Sequence, residues 1–119
     1  MLIKYKKSSK KISMGLLSFM PNVRELTALE KTMQKYEENA DWQLYLWKQG
    51  EDFIGLIGIE VQNLAFIVHD VTVNPSFQNK GIGHEMIEKL QQLQGPRAMR
   101  STKETKDFLA KCWQTKHSR

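Results

Sequence analysis

The chain has a single cysteine, three prolines and seven glycines in 119 residues. One cysteine excludes an internal disulfide and suits a reducing, cytoplasmic setting. One cysteine and three histidines offer no zinc-ligand spacing, so no metal site is expected. No apolar run approaches the roughly 20 residues that cross a membrane, and no membrane partner is expected. The opening MLIKYKKSSKKISMGLL has the charge of a signal n-region. Its apolar stretch from Met14 to Met20 is short, broken by Gly15 and Ser18, and followed by no small-residue cleavage site. Repeats and low-complexity tracts are also missing. The length suits one domain over residues 1–119 with one core, and a hydrophobic share of 40% excludes a disordered chain.

Acidic residues are in deficit, and the net charge is +5. Lys4, Lys6, Lys7, Lys10 and Lys11 form one basic group, and Lys103, Lys106, Lys111, Lys116 and Arg119 form another. Nucleic-acid binding would need stacking aromatics or a reading helix among these charges. The first group offers only Tyr5, and no helix-turn-helix pattern is present. No nucleic-acid partner is expected. The lysines read as solvated surface with a secondary pull on phosphate-bearing ligands.

What the chain does have is Val71 to Gly83, VTVNPSFQNKGIG. Val71 and Val73 flank Thr72 as strand residues do. Pro75 lacks a backbone donor and ends the ladder. Gln78-Asn79-Lys80-Gly81-Ile82-Gly83 then places two glycines at the mouth of a helix. The first amides of a helix have no internal partner, and its dipole favours negative charge there, so the segment is suited to phosphate. Lys80 adds a cation and Gln78 a side-chain donor. His84 after Gly83 excludes a P-loop, and two glycines fall short of the dinucleotide fingerprint.

The flanking pattern gives an α/β chain with a mixed sheet. Leu2 to Lys6 reads as a strand, and Ser8 or Ser9 caps a helix through Met20 with Ile12, Leu16, Leu17 and Met20 inward. Asn22 caps a second helix whose apolar face is Leu26, Leu29, Met33 and Tyr36. Trp42 to Lys48 is a strand with Leu44 and Leu46 on one face and Tyr45 and Trp47 on the other. Gly50 turns it into Phe53 to Val61, a strand buried on both faces, in which Gly55 and Gly58 mark a bulge or a close backbone approach. Leu64 to Val73 is the fourth strand. A helix follows with Ile82, Met86, Ile87, Leu90 and Leu93 inward, stopped by Gly95-Pro96. Arg97 to Ser101 reads as a fifth strand and Thr102 to Gln114 as a last helix, with Phe108, Leu109 and Cys112 inward.

The segment Gln78-x-x-Gly81-x-Gly83, preceded by a strand and followed by an amphipathic helix, resembles the acyl-CoA-binding motif of the GCN5-related N-acetyltransferases (GNAT). The order of elements is also similar to that fold over nearly the whole chain. KKISMGLLSFMPN, LYLWK and VNPSFQNKGIG further resemble a small bacterial member encoded with riboflavin-biosynthesis genes. The resemblance implies acetyl-coenzyme A as cofactor and an amine, small molecule or protein, as acceptor. It implies that backbone groups of Val71 and Val73, across Thr72, pair with the pantetheine arm. It further implies that amides of Gln78, Asn79, Lys80, Gly81, Ile82, Gly83 and His84 hold the pyrophosphate.

Acetyl transfer needs a base for the amine, polarisation of the thioester and an acid for the thiolate. Glu60, His69 and Asp70 are the base candidates. Strand neighbours point to opposite faces, so only one of His69 and Asp70 is expected to face the acceptor. Many members carry a Phe-Tyr pair in the last helix, whose Tyr is the acid, and here the pair is Phe108-Leu109. Cys112, one turn on, is the weak substitute, or a small core residue. Thr105 is the nearest stand-in for the Asn that often opens that helix. Many members continue with two more strands past this point. An open acceptor side, or a homodimer, is therefore expected, with Trp113 either packing in that interface or closing the core. The competing expectation is a binding protein that keeps the acetyl-CoA site as a sensor or scaffold without turnover.

Overall fold

The structure, a computed structural model, describes residues 1–117, with side chains as far as Cys112. The expectations placed on the side chain of Trp113 and on Arg119 lie outside the described residues. Five strands form one sheet in chain order: β1 (Leu2–Lys4), β2 (Trp42–Gln49), β3 (Asp52–Val61), β4 (Ala65–Val73) and β5 (Ala98–Ser101). The first four are antiparallel neighbours, and β5 runs parallel to β4. The mixed sheet expected from the sequence is the one found. A parallel neighbour requires a crossover, and α3 (Ile82–Gln94) supplies it. Among the described residues, no helix is long and apolar enough to cross a membrane.

The sheet separates two apolar layers. On one face α1 (Lys10–Leu17) and α2 (Leu26–Glu38) bury Leu16, Leu17, Leu29, Met33 and Tyr36 against Leu44, Leu46 and Leu56. On the other face α3 buries Ile82, Met86 and Leu90 against Trp47, Ile57, Ile59, Val71 and Val73. The alternation along β2 therefore divides as its sequence implies. α4 (Lys106–His117) lies beside α3, with Phe108 and Leu109 half-buried against the second layer.

Several local expectations are corrected. α1 starts at Lys10 and ends at Leu17, and Ser9 makes no side-chain capping bond. Pro21–Val23 is a single 3-10 turn, and α2 is preceded by Glu25 rather than capped by Asn22. Ile12, Leu26 and Leu93 are exposed at 45%, 63% and 60%, because the helical faces are narrower than apolar spacing suggested. The glycines of β3 do flank irregularities, as expected: the register shifts between Trp47, opposite Gly55, and Lys48, and again between Gly58 and Ile59. A Cβ at Gly55 would stand 2.6 Å from Met86 Sδ, and one at Gly58 would stand 2.0 Å from the Tyr36 hydroxyl. Side chains from opposite faces fill those spaces, and the Thr72 carbonyl oxygen stands 3.3 Å from the Gly55 position as well.

Candidate active site

β4 leaves β5 part-way along its length. The parallel register ends at Val68 opposite Ser101, so 69–73 have, among the described residues, a sheet neighbour only in β3. The Thr105 hydroxyl, fully buried, closes the ladder by donating to the Val68 carbonyl at 2.7 Å. Thr105 thus sits just before α4, where the sequence placed a polar stand-in. Asn74 donates its amide to Ile54 across β3 at 2.8 Å. In an antiparallel pair the bonding direction alternates, so the backbone groups of Val73 and Val71 point away from β3, into the opening. The Gln78 side-chain amide reaches the Val73 carbonyl at a long 3.5 Å.

The turn after β4 continues that opening. Asn74 accepts from the Ser76 amide at 2.9 Å and starts a 3-10 turn over Pro75–Phe77. Asn79 and Gly81 take positive φ values of 65° and 78°. The first backbone amide of α3 to find an acceptor is that of Glu85, on Gly81 at 3.1 Å. Among the described residues, the amides from Asn79 through His84 have none. A cleft of about 380 Å³ lies over them, lined by Val73, Phe77, Gln78, Phe108, Lys111 and Cys112 among others. Lys80 is outside the lining, with its ammonium 5.7 Å from the Phe77 ring, and His84 lies 3.6 Å from Glu88. Val71 and Thr72 do not line the cleft with side chains: Val71 is core, and Thr72 is buried with an unpartnered hydroxyl.

A bulge in β4 overturns the expectation that His69 and Asp70 part company. Gly58 pairs with Asp70 while Ile59 pairs with Val68, which leaves His69 as an extra residue. One added residue shifts the alternation by one. Phe66 and Val68 face α3 before the bulge, and Val71 and Val73 face it after. Both His69 and Asp70 therefore turn to the α2 face. Asp70 Oδ2 accepts a 2.5 Å bond from the Tyr36 hydroxyl. His69 Nε2 lies 2.9 Å from Glu60, and its ring stacks on Trp42 at 4.2 Å. Trp42 in turn meets Tyr36 edge-on at 5.5 Å. The three base candidates thus form one cluster.

The charges in the cluster are not equivalent. Burial raises the Asp70 carboxyl above the ordinary range, opposed by the Tyr36 bond and by His69 and Lys35, while Glu104 adds to the rise. The Tyr36 hydroxyl is pushed up by burial and by Asp70, so it stays a donor. On the other side of the opening, burial raises the Cys112 thiol, which keeps it protonated, with Lys111 opposing. Tyr36 was read in the sequence only as a core residue. Its hydroxyl and the glycine opposite Asp70 were the signal, but only the register brings them together.

A mixed sheet that splits between its two parallel strands, beside a helix with free N-terminal amides, defines an acyl-CoA N-acyltransferase fold. The chain belongs to the acetyltransferase (GNAT) family, whose model matches residues 16–101. It is 46% identical over 113 residues to an uncharacterized N-acetyltransferase in the lysA 3' region of Bacillus methanolicus, covering 94% of each chain. Among solved structures it is similar to aminoglycoside N-acetyltransferase AAC(6')-Iy in complex with CoA. That match has a TM-score of 0.75 at 14% identity and covers 98% of this chain and 84% of the other. It is also similar to a GNAT family acetyltransferase from Elizabethkingia anophelis with acetyl-CoA bound. There the TM-score is 0.70 at 15% identity, with 98% and 73% covered. At such identities the likeness speaks for the fold.

Proposed function

We propose that this chain transfers an acetyl group from acetyl-CoA to the nitrogen of an amine. The observation that carries the reading is the parting of β4 from β5 after Val68, which turns the Val71 and Val73 backbone into an opening continuous with the free amides of Asn79 through His84. These residues fit the cofactor: extended backbone suits an amide-bearing arm, and free helix amides suit a pyrophosphate. Bound acetyl-CoA supplies an activated thioester.

The chain's own groups then divide the work. Val71 and Val73 orient the arm through their backbones, and Gly81 to His84 neutralise the phosphates. Asp70 is the base: it is a buried carboxylate of raised proton affinity at the bulge where the opening begins. His69 is held by Glu60 and Trp42 and forms the wall beside it. Cys112, kept protonated in the cleft, is the available proton donor for the thiolate.

The acceptor follows from a panel. The resemblance of KKISMGLLSFMPN, LYLWK and VNPSFQNKGIG to RibT, encoded with riboflavin-biosynthesis genes, places aminopyrimidines in it. The similar AAC(6')-Iy is an aminoglycoside N-acetyltransferase, so aminoglycosides join the panel, and lysine peptides complete it. Calorimetric titration with acetyl-CoA comes first, followed by thiol release with each amine. Binding and amine-dependent release are expected. Release at the rate of plain hydrolysis with every amine would favour a binding protein, and absence of binding would refute the cleft assignment.

A further inference from the structure

We propose that Tyr36 is a positioning residue for acetyl transfer, whose hydroxyl reaches through the space left by Gly58 to hold the Asp70 carboxylate at the opening between β4 and β5. The inference rests on the acetyltransferase reading, with Asp70 as the base.

Three separate features of the chain must coincide for this contact. Tyr36 lies on the buried face of α2, two residues before its end at Glu38. Gly58 faces it, and any side chain there would stand where the hydroxyl is, since a Cβ would come within 2.0 Å of the oxygen. Asp70 is the direct neighbour of Gly58 in the register, and the bulge at His69 turns it to the same face. The resulting bond is 2.5 Å between two buried groups, with Tyr36 7% and Asp70 4% exposed. A core that only needed filling would take Phe and a hydrophobic partner, which avoids burying a hydroxyl and a carboxylate.

The bond also leaves Asp70 half free. Tyr36 engages Oδ2, while Oδ1 has no hydrogen-bond partner among the described residues and is not sealed from solvent. A hydroxyl that donates to one oxygen favours the ionised carboxylate and fixes its plane, so the other oxygen can accept a proton. The other charged groups around Asp70 are Lys35 from α2, His69 from β4, and Glu104 from the segment after β5, with Glu60 acting through His69. Lys35 and His69 oppose burial, as Tyr36 does, and Glu104 acts with it. Loss of the Tyr36 hydroxyl therefore raises the proton affinity of Asp70 and leaves the acetyl-CoA cleft untouched.

The test compares wild type, Tyr36→Phe and Asp70→Asn with acetyl-CoA bound. Carboxyl-carbon NMR follows the Asp70 titration. Thiol release is measured against pH with the fastest amine of the panel, or with water where no amine raises the rate. In Tyr36→Phe the Asp70 titration and the acid limb of the rate should both move to higher pH, with acetyl-CoA affinity unchanged. An unmoved titration in that variant overturns the proposal. A moved titration with an unmoved rate limb overturns it as well, because Tyr36 would then tune a carboxylate that is not the base. Asp70→Asn separates that failure from failure of the wider reading. Loss of the acid limb there keeps Asp70 as base, and an unchanged profile refutes that assignment while acetyl-CoA binding stands. Wild type gives an independent readout: a downfield, slowly exchanging Tyr36 hydroxyl proton that disappears as Asp70 protonates supports the proposal, and one indifferent to Asp70 contradicts it.

Discussion

The ring of Phe108 occupies the space that a side chain at Gly83 would need. A Cβ added there would stand 2.7 Å from the ring Cζ and 3.4 Å from Cys112 Sγ. Gly83 is thus the point where α4 closes on α3. The motif glycine that suggested a phosphate site also serves packing. Gly83→Val should displace α4 and destabilise the fold by about 1–3 kcal/mol, the usual penalty of overpacking. Thermal unfolding measures it, and an unchanged midpoint would refute the packing role. Weaker acetyl-CoA binding should accompany the loss of stability instead of occurring alone.

Gly81 behaves in the opposite way. Nothing lies within 4 Å of its added Cβ, but its φ is +78°. Gly81→Ala should cost about 1 kcal/mol through left-handed strain. Relief of that strain turns the amides of Asn79 through His84, so affinity for acetyl-CoA should fall further than stability does. Gly81→Asn, which tolerates this region better, should retain more of both. Calorimetry beside thermal unfolding separates the two effects, and equal affinity in all three proteins would remove the amides from the binding site.

Asp70 should make the protein less stable as pH rises. Its folded-state proton affinity is raised above that of an ordinary carboxylate, chiefly by burial. The folded state therefore binds the proton more tightly than the unfolded state does, and stability is lost as pH climbs from the unfolded value through the folded one. Asp70→Asn should be more stable than wild type at neutral pH, and the gap should close below the unfolded value. Denaturant unfolding across that range checks it, and a variant less stable at neutral pH would contradict the burial argument. Such a trade of stability for a reactive carboxylate is what a base at this position requires.

Thr105→Val keeps the volume but removes the donor to the Val68 carbonyl. A buried carbonyl left without its partner should cost about 1–3 kcal/mol. The bond marks where β5 lets go of β4, so acetyl-CoA affinity should drop as well. Hydrogen exchange at the end of β5 would show the change, and unaltered protection there would refute the role.

Much of this protein was legible in the linear pattern. Leu44 and Leu46 against Tyr45 and Trp47, the spacing of Leu29, Met33 and Tyr36, and Gly50 at the hairpin with φ +60° each state a local rule, and each was obeyed. The crossover from Val73 through Gly81 to the fifth strand was equally readable, because turn chemistry and helix period act over a few residues. Local rules weakened at the margins of helices: Ser9 stands at the N-cap of α1 without a side-chain capping bond, and Leu26 and Ile12 lie exposed. A helix end and the width of its buried face depend on what it packs against.

The sequence alone determined the strand and helix order, the free amides at the mouth of α3 and, through them, the family. Those depend on residues close together in the chain, where backbone chemistry decides. Only the tertiary structure decided which groups meet at the centre. A single extra residue at His69 reverses the alternation of β4; Gly58 marks a bulge in the sequence, but no residue type in LAFIVHDVTV says which residue of β4 is the extra one. That reversal brings Asp70 beneath Tyr36, 34 residues away, through the gap at Gly58. Register between strands is set by the summed packing of both sheet faces, so the site appears only when the whole sheet is assembled.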